Sequence, residues 1–73
     1  MYNYELKIDG MYCSMCESHV NDVIRNNFTI KKVKSNHKKN ETTIVTDELL
    51  DETKLKQVLQ NIGYEVIDIK KNS

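Results

Sequence analysis

Hydrophobic and polar residues alternate at the start of the chain. Apolar side chains occupy every second position, at Tyr2, Tyr4, Leu6 and Ile8. This period of two is typical of a β-strand that buries one face in a core. Gly10 follows shortly afterwards, so we expect the strand to end there.

Two later segments have the three- and four-residue spacing of an amphipathic helix. In the first, which predicts a helix over about residues 15–26, apolar residues recur at Val20, Val23, Ile24 and Phe28. In the second they recur at Leu55, Val58, Leu59 and Ile62. Asp51 is suited to cap the start of the second helix, and Gly63 can adopt the left-handed conformation that ends it.

Three further β-prone runs complete the pattern. Residues 30–35 and 42–46 flank a polar stretch at 36–40, which predicts an antiparallel hairpin, and residues 64–69 predict a last strand. The predicted order is therefore βαββαβ. It favours an α+β fold in which both helices pack on one face of a four-stranded antiparallel sheet. This is the ferredoxin-like arrangement.

Length and charge limit what the protein can be. The 73 residues suffice for a single domain, which we expect to span residues 1–73. Eleven basic residues balance eleven acidic ones, so no net charge attracts nucleic acid. Glu5, Lys7 and Asp9 interrupt any apolar segment of the kind that signal peptides and membrane anchors need. We expect a cytoplasmic protein that binds no nucleic acid and does not insert into a membrane.

Both cysteines of the chain lie in one short stretch, GMYCSMC, as Cys13 and Cys16. A disulfide between them would close a very short loop and constrain the unfolded chain little, and a reducing compartment disfavours it. A metal site or a redox-active dithiol is the more typical use of such a pair.

The residues around the cysteines predict where a helix begins. Ser14 and Glu17 form the S-x-x-E pattern of a capping box, with Ser14 as the cap. Cys13 is then expected in the loop and Cys16 in the first helical turn, where free N–H groups and the helix dipole favour a thiolate. The carboxylate of Glu17 opposes part of that effect. Two thiolates without further ligands suit Cu(I), whereas structural zinc takes four ligands.

The motif resembles the Gly-Met-x-Cys-x-x-Cys signature of the heavy-metal-associated domain, with matches at Gly10, Met11, Cys13 and Cys16. Further matches extend the resemblance over nearly the whole chain, at Val20, Ile24, Gly63 and Tyr64. The resemblance implies that Cys13 and Cys16 are the metal ligands and that the protein is not an enzyme.

Family members of this size are similar to copper chaperones or are N-terminal modules of copper-transporting P-type ATPases. The resemblance therefore implies Cu(I) transfer by thiolate exchange, with a P-type ATPase or its metal-binding domain as partner. A metal-bridged homodimer is also open, because the dithiol loop is expected to be exposed. The start at Met1 and the charged tail KKNS favour a complete small protein, but an excised module stays open.

Other functions stay open because Tyr12 stands where the family typically has threonine or serine. The main alternative is a Zn(II), Cd(II) or Hg(II) carrier, although zinc-selective relatives tend to have aspartate at this position. A small CxxC thiol-disulfide oxidoreductase is disfavoured by the short chain and by its lack of proline. A structural zinc site is disfavoured by the spacing of its ligands, which would be Cys13, Cys16, His19 and His37.

Five further residues near the motif have expected positions. Met11 is expected to fill the core, Met15 to be exposed and His19 to lie at the surface. Tyr64 resembles the tyrosine that bacterial members of this family place near the metal loop, which implies that its ring can shield the site and its hydroxyl can approach a thiolate; a purely structural strand residue is the alternative. Whether Met15, His19 or Tyr64 contributes to the metal site is open. His37 is expected to be a solvated loop residue.

Overall fold

The predicted order of strands and helices is present in the computed structural model, which describes residues 1–72. The elements are β1 (Tyr2–Asp9), α1 (Ser14–Asn27), β2 (Lys32–Asn36), β3 (Glu41–Thr46), α2 (Glu52–Asn61) and β4 (Glu65–Asn72). Neither helix in this part of the chain has the length and apolar content that crossing a bilayer requires. The βαββαβ prediction is confirmed.

The four strands form one antiparallel sheet in the order β2-β3-β1-β4. Strand β1 is central and pairs with two neighbours, so that Leu6 lies opposite Thr42 of β3 and Ile69 of β4. The register with β4 shifts between Lys7 and Ile8, where the chain approaches the cysteine loop. The ferredoxin-like α+β fold is therefore confirmed.

The core lies between the sheet and the two helices. The alternating side chains of β1 are buried, as the period of two predicts, at Tyr4, Leu6 and Ile8. Both helices meet them with the residues that the helical spacing indicates, at Val20, Ile24, Leu55 and Leu59. The loop that follows β1 is consequently attached to a strand with one face buried in the core.

Polar side chains also fasten α1 to the hairpin of β2 and β3. The Ser35 hydroxyl donates a hydrogen bond of 2.6 Å to Oδ1 of Asn21 on α1. It also lies 2.9 Å from the hydroxyl of Thr42. Ser35 and Thr42 are buried, so these contacts satisfy groups that would otherwise be costly to remove from water.

The ends of the second helix follow the sequence prediction. Asp51 is the N-cap, and its Oδ1 accepts hydrogen bonds from the backbone N–H groups of Thr53 (2.9 Å) and Lys54 (3.2 Å). Gly63 has a φ of +94°, a conformation that is strained for residues with a Cβ. Both predictions are confirmed.

The last strand is longer than predicted. Residues 70–72, which are polar, continue the pairing with β1, and Asn72 lies opposite Asn3. Backbone hydrogen bonds hold them, and these do not depend on apolar side chains. A prediction based on hydrophobic pattern therefore ended the strand too early.

The core assignment predicts a difference between two identical substitutions. We expect Ile24→Val to lower the free energy of unfolding by about 0.5–1.5 kcal/mol, because it removes a fully buried methylene. Ile67→Val removes the same group from a side chain that is 64% exposed, so we expect a change below about 0.5 kcal/mol. Urea unfolding of the reduced protein measures both. Equal losses for the two variants would contradict the assigned core.

Candidate metal site

The two cysteines lie at the junction between the loop after β1 and the first turn of α1. Cys13 is the N-cap residue, in an extended conformation, and its carbonyl accepts the N–H groups of Cys16 (3.1 Å) and Glu17 (3.3 Å). The helix thus begins between the cysteines, as predicted. Their sulfur atoms are 3.4 Å apart, and both residues are free thiols. One ion of small radius can contact both sulfurs from the exposed side.

The predicted capping box is wrong. The N-cap is Cys13 rather than Ser14, and the Glu17 carboxylate does not turn back to the start of the helix. Instead Oε2 of Glu17 accepts two hydrogen bonds from His37, one from the backbone N–H at 2.7 Å and one from Nδ1 at 2.6 Å. Two donors on a neighbouring turn satisfy the carboxylate better than the single N–H that a capping box offers.

His37 is consequently not the solvated loop residue that the sequence suggests. Its side chain is partly buried, as is that of Glu17, and it joins the β2–β3 turn to the first turn of α1. The hydrogen bonds from the backbone and the ring of His37 hold the pKa of Glu17 below its usual value. No pattern in the sequence indicates this contact, because twenty residues separate its partners.

Tyr64 lies against the cysteine loop, as the family resemblance implies. It is the first residue after Gly63 and is buried. Hydrogen bonding to the Tyr64 side chain is the main reason why the pKa of Cys16 falls to about 7, with smaller contributions from the backbone of Tyr12 and the thiol of Cys13. The interaction with Cys16 in turn raises the pKa of Tyr64 to about 12. Both shifts favour a Cys16 thiolate that accepts a hydrogen bond from a neutral phenol.

Gly10 allows Tyr64 to approach the loop this closely. Its φ is +108°, and a Cβ at this position would lie 3.1 Å from Cδ1 of the tyrosine ring. Glycine is therefore required both for the backbone conformation and for the space. The next residue, Met11, is fully buried in the core, as predicted. The Gly-Met pair thus shapes the loop and anchors it.

The outer side of the loop is open. Tyr12 is 79% exposed and Met15 is 80% exposed, and Cys13 between them is also exposed. The prediction that Met15 is exposed is confirmed. His19 is at the surface too, with its ring edge-on to Tyr64 at a centroid distance of 6.1 Å. A partner protein can therefore reach Cys13 without moving the core.

Within residues 1–72 no group of three or more His, Cys, Asp and Glu side chains is placed to hold a metal ion. The structural zinc site of Cys13, Cys16, His19 and His37 is therefore not assembled. His19 instead contacts Tyr64, and His37 is occupied with Glu17.

Removal of the Tyr64 hydroxyl tests its effect on Cys16. We expect Tyr64→Phe to raise the pKa of Cys16 from about 7 towards the ordinary thiol value of 9.0, because the main hydrogen bond to the thiolate is lost. Iodoacetamide alkylation of Cys16 as a function of pH, followed by peptide mass spectrometry, measures the shift. Tyr12→Phe is the control, since it leaves the backbone of Tyr12 in place. An unchanged titration in Tyr64→Phe would contradict the assigned hydrogen bond.

The lowered pKa of Cys16 also predicts how the free energy of unfolding depends on pH. Because the folded-state pKa of Cys16 is about 7 and the ordinary value is 9.0, its thiolate stabilises the reduced fold fully above pH 9. This contribution is lost as the pH falls through about 7. We expect Tyr64→Phe to lose it at a higher pH, which urea unfolding of the reduced variant at a series of pH values would show.

Comparisons with known proteins address the fold and the family. The heavy-metal-associated domain family model matches residues 5–65, and a search among curated proteins returned no significant match. Among solved structures, the CopZ metallochaperone superposes with a TM-score of 0.80 at 21% identity, covering 89% of this chain and 98% of that chain. The N-terminal domain of ZntA in the Zn(II) form has a TM-score of 0.79 at 22% identity, covering 89% and 88% respectively.

A third solved structure is a copper binding domain from HMA7, a P-type ATPase. Its TM-score is 0.78 at 22% identity, and the alignment covers 100% of this chain and 96% of that domain. At such identities these likenesses establish a common fold and nothing more.

The family match has a different weight, because it covers most of the chain and includes the cysteine loop, both helices, all of β2 and β3 and most of β1. Membership in this family implies binding of a heavy metal. The chain belongs to the heavy-metal-associated domain family.

Proposed function

We propose that this protein binds one Cu(I) ion through the sulfurs of Cys13 and Cys16 and passes it to a partner protein. The observation that carries the proposal is the free thiol pair, with sulfurs 3.4 Å apart at the start of α1. The pKa of about 7 for Cys16 supports it, because the thiolate is the form that binds metal.

The choice of ion follows from the donors. Thiolates are soft ligands, which favour Cu(I), and Cu(I) accepts few ligands. Zn(II) prefers four ligands in a tetrahedron, and residues 1–72 offer no cluster of three candidate side chains. The similar structures include both a copper binding domain and a Zn(II) form, so the donor set rather than the fold supports copper.

Transfer to a partner is supported by the exposure of the loop. An incoming thiolate can approach the ion beside Cys13, form a third bond to it and then replace one of the original sulfurs. The oxidation state of the ion does not change, so the exchange needs no reductant or catalytic group. We propose the metal-binding domain of a copper-transporting P-type ATPase as the partner, in the cytoplasm, with a metal-bridged homodimer as a second use of the same loop.

The thiol-disulfide oxidoreductase hypothesis has less support. In thioredoxin-like proteins the first cysteine of CxxC is the activated thiol. Here the second cysteine, Cys16, is partly buried and has a pKa lowered to about 7. The ferredoxin-like sheet order also differs from the parallel βαβ units on which thioredoxin-like motifs are found.

An anaerobic titration with Cu(I) against a coloured chelator tests the proposal. We expect the fully reduced protein to retain one Cu(I) per chain and to prefer it over Zn(II). The double variant Cys13→Ser, Cys16→Ser should lose this binding, because hydroxyl groups are poor ligands for a soft ion. Met15→Leu is the matched control, since it removes an exposed sulfur of the same loop and should retain Cu(I).

Two results would contradict the proposal. Loss of Cu(I) to the chelator by the reduced protein would show that the thiol pair is not a copper site. Tighter binding of Zn(II) than of Cu(I) would instead favour the alternative function, a carrier of Zn(II), Cd(II) or Hg(II).

A further inference from the structure

A carboxylate lies beside the thiol pair in the sequence but is held away from it in the structure. Glu17 follows Cys16 directly and is four residues after Cys13, the N-cap of α1. Its backbone N–H donates to the carbonyl of Cys13 at 3.3 Å, so Glu17 belongs to the same helix start as both cysteines. Glu17 is thus the acidic residue in the first turn of α1.

His37 holds this carboxylate elsewhere. Oε2 of Glu17 accepts the backbone N–H of His37 at 2.7 Å and its Nδ1 at 2.6 Å, and both side chains are partly buried. Charge-assisted hydrogen bonds of this length are among the stronger ones in proteins. With Glu17 in this position, no third candidate ligand in residues 1–72 accompanies the cysteines.

The position of the Glu17 carboxylate affects the binding of Zn(II) more than the binding of Cu(I). A carboxylate oxygen is a good ligand for Zn(II), which seeks a third and a fourth donor, whereas soft Cu(I) gains little from it. A carboxylate free to turn towards Cys13 would therefore strengthen binding of Zn(II) selectively.

We propose that His37 is a specificity-determining residue, which disfavours Zn(II) by holding the Glu17 carboxylate away from the thiol pair. This inference rests on the proposed function, in that Cys13 and Cys16 are taken as the ligands. His37 does not touch the ion, so it acts through the position of Glu17.

The structure supplies a matched control for this contact. Asn21 lies one turn after Glu17 on α1 and accepts a hydrogen bond from Ser35 of β2 at 2.6 Å. Asn21→Ala therefore loosens the same helix from the same hairpin without releasing a carboxylate. If His37 had a purely structural role, His37→Ala and Asn21→Ala would change the affinities for Zn(II) and Cu(I) in the same way.

The experiment compares binding of Zn(II) alone and of Cu(I) alone by the reduced wild-type protein and its variants, each against a chelator. We expect His37→Ala to tighten Zn(II) binding by about 3- to 10-fold, which is smaller than the roughly 10- to 100-fold changes seen when residues behind metal ligands are altered. Cu(I) affinity should be unchanged within error. The backbone N–H at position 37 remains in this variant and limits the effect.

Three further variants identify the cause. Glu17→Gln alone should leave both affinities unchanged, and combined with His37→Ala it should abolish the gain for Zn(II). His37→Asn should retain the wild-type Zn(II) affinity, because its amide N–H can replace Nδ1 as donor. The absorption spectrum of bound Co(II) gives a second readout, since an added oxygen ligand should shift its d–d bands in His37→Ala and not in Asn21→Ala.

Several outcomes would overturn the inference. These are an unchanged Zn(II) affinity in His37→Ala, a parallel loss of both ions in His37→Ala and Asn21→Ala, or weaker Zn(II) binding in Glu17→Gln alone. A wild-type preference for Zn(II) over Cu(I) would instead contradict the proposed function. In that case the ratio of the His37→Ala and wild-type Zn(II) affinities would still test the role of His37.

Discussion

The packing of strand β1 between two neighbouring strands and beneath both helices is the constraint on which the rest of the structure depends. Its alternate side chains Tyr4, Leu6 and Ile8 are buried, and its backbone pairs with β3 and β4. The cysteine loop leaves the end of this strand through Gly10 and is anchored at once by the buried Met11. The cysteine loop is therefore exposed on one side and anchored in the core on the other.

The electrostatics of the site follow from that anchoring. The loop delivers Cys16 to the first turn of α1 and brings it against Tyr64, whose own position depends on the absence of a side chain at Gly10. Free N–H groups at a helix start favour a thiolate, and the Tyr64 phenol makes the largest contribution to the lowered pKa of Cys16. Cys13, by contrast, remains exposed between Tyr12 and Met15. One sulfur is thus stabilised from the protein side while the other is accessible to a partner.

Glu17 illustrates a competition between local and tertiary partners. The S-x-x-E pattern offers it the start of its own helix, but two donors from His37 lie on the adjacent turn and bind it instead. The helix then uses Cys13 as its N-cap, which leaves a ligand candidate, rather than a serine, at the boundary of the loop. The hydrogen bonds from His37 that satisfy the Glu17 carboxylate therefore also determine where this carboxylate lies relative to the two cysteines.

The sequence by itself determined the element order, the buried face of each element and the presence of a thiol pair at a helix start. These properties depend on local periodicity, on helix capping and on spacing along one segment, as Asp51, Gly63 and the alternation in β1 show. The family resemblance also located Tyr64 near the loop, which periodicity alone could not do.

Only the tertiary structure decided that Glu17 pairs with His37, that Cys13 is the cap and that β4 continues to Asn72. Each of these depends on how α1 or β4 is placed against a segment distant in the chain. A side chain with several possible partners takes the one that packing brings within hydrogen-bond distance, and a backbone pairs wherever a neighbouring strand continues. Neither condition leaves a periodic trace in the sequence.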